Sequence, residues 1–223
     1  MRRTQQERRE ATITKLFDAA IATIDELGYA KASASTITAR AGMSYGALFR
    51  HFPTMSDFMA AVARETMRRH SELVTARFQA LTGSTAPGGL ATLLTAMHEL
   101  VTHPTRYAIL ELTVAARTDE QLRNAMRATT EEAGLAIVDT ADRMVGSEFA
   151  LGPAEFTSLV FLVLDLFDNE AIQHPLRVLH PEIYDHRLPL LLRMVEPLLA
   201  RDRRSLDTPS SPALPDGRAE LQA

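Results

Sequence analysis

Residues 33–52 read Ser33-Ala34-Ser35-Thr36-Ile37-Thr38-Ala39-Arg40-Ala41-Gly42-Met43-Ser44-Tyr45-Gly46-Ala47-Leu48-Phe49-Arg50-His51-Phe52. Two short helical segments, at 34–41 and 45–51, are separated there by Gly42-Met43-Ser44. Neither is stable alone, because isolated helices shorter than about 12 residues are marginal in water. Their support lies just upstream. Ile13, Leu16, Phe17, Ala20, Ile24 and Leu27 recur at spacings of three and four, on one face of a helix over 11–27 that Gly28 closes. Ser33 or Ser35 can cap the first short helix and Ser44 the second, through side-chain oxygens that satisfy free first-turn amides. A longer helix followed by two short ones around a tight glycine turn is the helix-turn-helix arrangement. In it the last helix projects far enough to enter a major groove about 12 Å wide.

Downstream the pattern stays helical. Helices are expected over 55–81, 90–103, 105–118, 119–145, 153–174 and 181–201, with a glycine-rich loop at 83–89. Pro153 and Pro181 suit a first turn, whereas Pro189 and Pro197 fall inside the last helix and require it to kink or to begin later. No strand-like alternation and no internal repeat is found. The expectation is an all-α chain of about nine helices, divided into 1–54, 55–201 and a disordered tail over 202–223 rich in Pro, Ser and charge.

Composition narrows the function classes. The 223 residues can bury one sizeable core, or one core plus a small module, which excludes a large multidomain enzyme. The absence of cysteine excludes disulfides, thiolate zinc sites and cysteine nucleophiles. The first helical segment carries Lys15, Asp18, Asp25 and Glu26 where a secretory segment needs an apolar run, so a cytoplasmic location is expected. The most apolar run, 159–167, is interrupted by Asp165 and is too short to span a bilayer. The net charge of −4 hides an asymmetry: residues 1–52 hold eight bases against five acids, and the remainder is acidic. A polyanion would meet the front end.

The run from Gly28-Tyr29 through Ile37 to Ala41-Gly42-Met43-Ser44-Tyr45-Gly46-Ala47-Leu48-Phe49-Arg50-His51-Phe52 resembles the TetR family of transcriptional regulators. The likeness covers about residues 8–58; beyond it only the number and order of helices match. It implies a dimeric, ligand-responsive DNA-binding regulator, with repressor the first expectation and an activator or ligand-independent regulator the alternative. DNA contacts are implied at Ser33, Ser44, Tyr45, Gly46, Ala47, Phe49, Arg50 and His51. Tyr45 and Ala47 would read base edges, and Arg50 and His51 would meet phosphates. Two positions depart from the pattern: Phe49 stands where tyrosine is usual and Met55 where lysine is usual, which removes two phosphate contacts. An arm carrying Arg2, Arg3, Arg8 and Arg9 could compensate along the backbone or in a minor groove.

In the helix expected over 153–174 the apolar residues wrap the whole cylinder, which requires burial on both sides. Together with the seam Leu188, Leu191, Leu192, Val195, Leu198 and Leu199, the resemblance implies a homodimer through 153–174 and 181–201. It also implies a cavity for a small-molecule effector. The candidates for its lining are Leu73, Met97, Leu100, Tyr107, Leu110, Glu111, Val114, Met126, Phe161 and the acid Asp165. Glu111 and Asp165, if buried, need an internal arginine or a cationic or hydroxylated ligand. Glu170/His174 and Glu182/His186 have a spacing that can share a cation, but no di-iron, phosphate-loop or nucleophile motif appears, so neither metal nor cofactor is expected. A helical-bundle enzyme with a vestigial helix-turn-helix is the remaining rival.

Overall fold

The computed structural model describes residues 4–83, 89–176 and 186–199, and among them are nine α-helices. They are α1 (Gln5–Leu27), α2 (Ala34–Arg40), α3 (Tyr45–Phe49), α4 (Met55–Thr82), α5 (Leu90–Glu99), α6 (Pro104–Ala116), α7 (Glu120–Val145), α8 (Pro153–Gln173) and α9 (Arg187–Val195). The expected tail over 202–223, Arg2, Arg3, Pro181 and Glu182 lie outside the described residues. None of the described helices is long and apolar enough to cross a membrane.

The first helix begins six residues earlier than the apolar period indicates. Thr4-Gln5-Gln6-Glu7 forms a capping box: Thr4 Oγ1 accepts from the Glu7 amide at 3.2 Å, and the Thr4 amide donates to Glu7 Oε2 at 2.7 Å. Arg8 and Arg9 therefore sit on a helix and belong to no flexible arm. At the other end Gly28 adopts φ 79° and returns its N–H to the Ile24 carbonyl. Gly42, at φ 66°, makes the turn between α2 and α3, a conformation costly for any residue with a Cβ.

Prolines correct two more boundaries. Pro104 occupies the first turn of α6 and disfavours helix in the residue before it, so α5 stops at Glu99 rather than running to 103. Helix α9 starts at Arg187, which puts Pro189 in the first turn, where its missing amide has no partner to lose. Pro197 falls in a separate 3-10 turn, Glu196–Leu198.

Two apolar cores result. The first gathers Leu16, Ile24, Ile37, Leu48, Phe58, Met59 and Val62 from α1 to α4, with Ala108 and Leu112 of α6 and Leu122 and Met126 of α7. Phe58 is its centre, with ring centroids 6.2 Å from Phe17 and 5.1 Å from Phe52. The second joins α5, α6, α7, α8 and α9 through Leu94, Val101, Leu110, Val145, Phe156, Phe167 and Val195. Helices α4, α6 and α7 serve both. The helix-turn-helix is thus bolted to the larger unit along three rods rather than hung on a linker.

Candidate functional site

The second short helix is held by one side and open on the other. Leu48 and Ile37 are fully buried, and Phe52, Met43 and Met55 pack partly against the same core. Met55 thereby sets an apolar side chain partly against that core where a lysine is usual. Opposite Leu48, Gly46 has nothing within 4 Å of where a Cβ would stand, and Tyr45, at the first position of the helix, is 59% exposed. A duplex backbone can approach that surface closely.

The other expected contact residues are placed around this helix. Ser33 caps α2, accepting from the Thr36 amide at 3.2 Å. Ser44 sits at the start of α3, exposed, but its side chain makes no capping bond. Phe49 is half-buried, and its ring braces Tyr45 at 4.8 Å between centroids. It positions the exposed tyrosine and offers nothing polar itself. Ala47 is partly exposed, and Arg50 and His51 lie just past the end of the five-residue helix. The His51 imidazole is held below its usual value by desolvation, with the charges of Arg9 and Arg50 adding. Arg9 of α1 and Arg50 therefore form one positive neighbourhood around a His51 ring held toward its neutral form. Arg40 is committed elsewhere, to Glu26 of α1.

A second site lies in the larger unit. A cavity of about 210 Å3, partly open to the outside, is lined by α4 to α9, with walls from Val74, Leu93, Ile137, Phe156, Val160 and Leu164 among others. Met97 and Phe161 are on its wall; the other expected lining residues are not. Leu73 faces a surface cleft between α1 and α4. Leu110 and Met126 are core residues, one in each core. Tyr107 packs beside the second core, and Leu100 belongs to the turn after α5. Val114 is exposed, and Glu111, also exposed, accepts the Tyr29 amide at 2.9 Å, tying α6 to the end of α1. Asp165 is exposed on the outer face of α8 rather than buried. For Leu110 and Met126 the physical reason is shared: α6 and α7 each carry two apolar stripes, and only one of them faces the cavity.

The polar groups of the cavity are ones the periodicity did not single out. Arg106, 6% exposed, donates from Nη2 to the Leu164 carbonyl at 3.2 Å. The same nitrogen lies 2.8 Å from Asp168 Oδ1. That approach is an ionic contact without hydrogen-bond alignment, so the buried Oδ1 is left without a hydrogen-bond partner. Burial outweighs pairing at both groups: the Asp168 carboxyl is raised and the Arg106 guanidinium lowered, each mainly by desolvation. Their sequence signal was faint: a lone arginine in the apolar run of α6 and an acid next to Phe167.

His70 of α4 completes the polar set. Its imidazole is pushed down to about 3, chiefly by burial, with the charges of Arg106 and His103 adding. An unfolded histidine binds its proton near pH 6.5, so the buried ring stabilises the fold above that pH, and the contribution is lost as pH falls toward 3. Between those limits the slope from this group is about 1.4 kcal/mol per pH unit. His70→Leu should therefore flatten the acid limb, so that urea midpoints at pH 7 and pH 5 differ less in the variant than in the parent chain.

Glu170 is buried with His98 Nδ1 3.2 Å away, and among the described residues no group of three or more His, Asp or Glu converges. On the outside of α8 and α9, Leu162, Leu166, Ile172, Leu190 and Met194 stand exposed, an apolar face larger than scattered surface leucines account for.

The model of the "Bacterial regulatory proteins, tetR family" matches residues 16–62, which take in most of α1, all of α2 and α3, and the start of α4. The HTH-type transcriptional regulator Rv2912c of Mycobacterium tuberculosis is 40% identical over 195 residues, 87% of this chain and 98% of its own. The HTH-type transcriptional repressor AcnR of Corynebacterium diphtheriae is 32% identical over 103 residues, 44% of this chain and 47% of its own. The crystal structure of the multidrug binding protein EbrR with imidazole shares the fold at a TM-score of 0.61 and 20% identity, covering 86% of this chain and 97% of that one. A helix-turn-helix braced by a helical body, matched along nearly the whole length of a 40% identical regulator, shows that this chain belongs to the TetR family of bacterial transcriptional regulators and not to a family of enzymes.

Proposed function

We propose that the protein is a homodimeric repressor, released from a palindromic operator when a small molecule occupies the cavity. Residues 1–54 form the DNA-binding unit, and 55–201 the effector and dimer unit. The reading fits a cytoplasmic protein acting where the chromosome lies.

One observation carries it: the same helix, α4, roots in both places. Phe58, Met59 and Val62 are in the core of the DNA-binding unit, while Met67, His70 and Val74 face the cavity. Val62 and His70 are about 12 Å apart along the axis, at 1.5 Å per residue. A ligand that displaces the cavity wall of α4 moves the base of the recognition helix with it, and the Tyr29–Glu111 bond gives α6 a second grip. The exposed apolar face of α8 and α9 suits a two-fold interface, which sets two Tyr45 helices side by side. Support also comes from EbrR, a multidrug binding protein of the same fold, and from AcnR, a repressor. Effector and operator affinities are then coupled reciprocally.

The test is a titration of a duplex selected from a random pool, read by fluorescence anisotropy across a salt series. Arg50→Ala should weaken binding on all sequences alike and lower the magnitude of the salt slope by about one. An unchanged slope would mean that Arg50 meets no phosphate and that the proposed DNA face is wrong.

A further inference from the structure

The hydrogen-bond polarity at the cavity head identifies the chemistry of what it holds. The cavity imidazole of His70 bonds through Nδ1 to Thr105 Oγ1 at 2.9 Å, and the same Oγ1 lies 2.8 Å from His103 Nδ1. His103 Nδ1 also accepts the Thr105 backbone N–H at 3.3 Å, as the cap of α6. An Nδ1 that accepts a backbone proton carries none of its own. The proton between it and Thr105 is therefore the hydroxyl's, and Oγ1 has only one to give. Toward His70, Oγ1 must accept, so the network assigns the proton of His70 to Nδ1 and leaves Nε2 bare.

The ring cannot escape this by taking a second proton, since burial holds it neutral. His70 thus presents an acceptor. Asp168 Oδ1 lacks a hydrogen-bond partner but is closed off by burial and ion-paired with Arg106, so it offers the cavity no second acceptor. The one strong donor, Arg106, is already directed at the Leu164 carbonyl and ion-paired with Asp168, so the polar end carries no net charge. Everything else on the wall is aliphatic, aromatic, methionine or a threonine, serine, alanine or glycine. Scaled from the ~150 Å3 apolar cavity that holds benzene, the volume of about 210 Å3 suits roughly eight or nine heavy atoms.

From this we infer that the cavity selects a small, neutral, largely apolar molecule bearing a hydroxyl donor, an alkylphenol or an alcohol of similar size, and discriminates against carboxylates and quaternary ammonium ions. The inference rests on the reading of this cavity as the effector site. The hydroxyl donates to His70 Nε2, and the hydrocarbon fills the end toward Phe156 and Val160. Thr105 acts as a positioning residue, because it fixes which ring nitrogen of His70 is bare.

Calorimetric titration of the full chain without DNA tests the chemistry with four probes: para-ethylphenol, para-ethyltoluene, para-toluate and phenyltrimethylammonium. Para-ethylphenol should bind at least about tenfold more tightly than each of the others. His70→Phe should bring the phenol to within a few-fold of para-ethyltoluene while leaving the latter's affinity unchanged. Histidine nitrogen NMR should show a bare Nε2 on His70 in the parent chain, and Thr105→Val should erase that preference and reduce the phenol selectivity. These spectra and the probe comparison on the parent chain stand even if a variant fails to fold. Tightest binding of para-toluate would make Arg106 the recognition group and overturn the inference, as would tightest binding of the ammonium ion or equal binding of phenol and toluene. If the phenol is selected but leaves the operator complex intact at saturation, the ligand class holds and the repressor reading fails. No saturable binding by any probe would overturn both.

Discussion

Leu162→Glu should leave the single chain folded and weaken operator binding a hundredfold to ten-thousandfold, the range lost when two linked recognition modules act separately. Leu162 is 65% exposed in the single chain, so the substitution removes little from either core. In a two-fold interface it buries an unpaired carboxylate on each side, which desolvation makes costly. Neighbouring Leu166 and Ile172 on α8, with Leu190 and Met194 on α9, would stay exposed in the resulting monomer. Sedimentation should then report one chain's mass with unchanged helical circular dichroism. A variant that remains dimeric and binds normally would place the interface elsewhere.

Phe58→Ala carries the largest expected cost in stability, about 3–5 kcal/mol from lost burial and the cavity left behind. Its ring is fully buried between Phe17 and Phe52, and it anchors α4 beneath the recognition helix. That loss is comparable with the whole stability of a small domain. Because the second core shares no buried side chain with the first, the damage should stay in the DNA-binding unit. Hydrogen exchange is expected to show α1 to α3 unprotected while the interior of α8 keeps its protection, and operator binding should vanish. Uniform loss across the chain would show that the two cores melt as one.

The DNA-binding unit could be read from sequence because its information is local. Gly42 between two short helices, with Leu48 and Ile37 at fixed offsets, marks the turn and the buried side of the second short helix. The start of α1 was just as local, written in Thr4 and Glu7, but a search for apolar periodicity passes over a polar first turn. The cavity is a different matter. A helix that serves two cores has two apolar stripes, and the 3.6-residue period does not say which neighbour each will meet. Met97 faces the cavity while Met126 faces the DNA-binding core, and nothing near either residue distinguishes them. Asp165 and Asp168 stand one helical turn apart in the same apolar run. Which of them turns inward is decided by the position of Arg106 on another helix. The role of His70 was less visible still, since it depends on Thr105 and His103, residues that reach it only through the packing of α6 on α4.

The central claim is geometric: two recognition helices, joined through α8 and α9, lie one turn of DNA apart. The chain contains no cysteine, so a single Ser44→Cys substitution places one spin label per protomer on the exposed start of α3. With a selected operator bound, pulsed dipolar spectroscopy should give one narrow label separation near the ~34 Å repeat of the duplex, shifting or broadening when an effector is added. A separation far from that repeat in the DNA complex, or a distribution indifferent to DNA, would contradict the account.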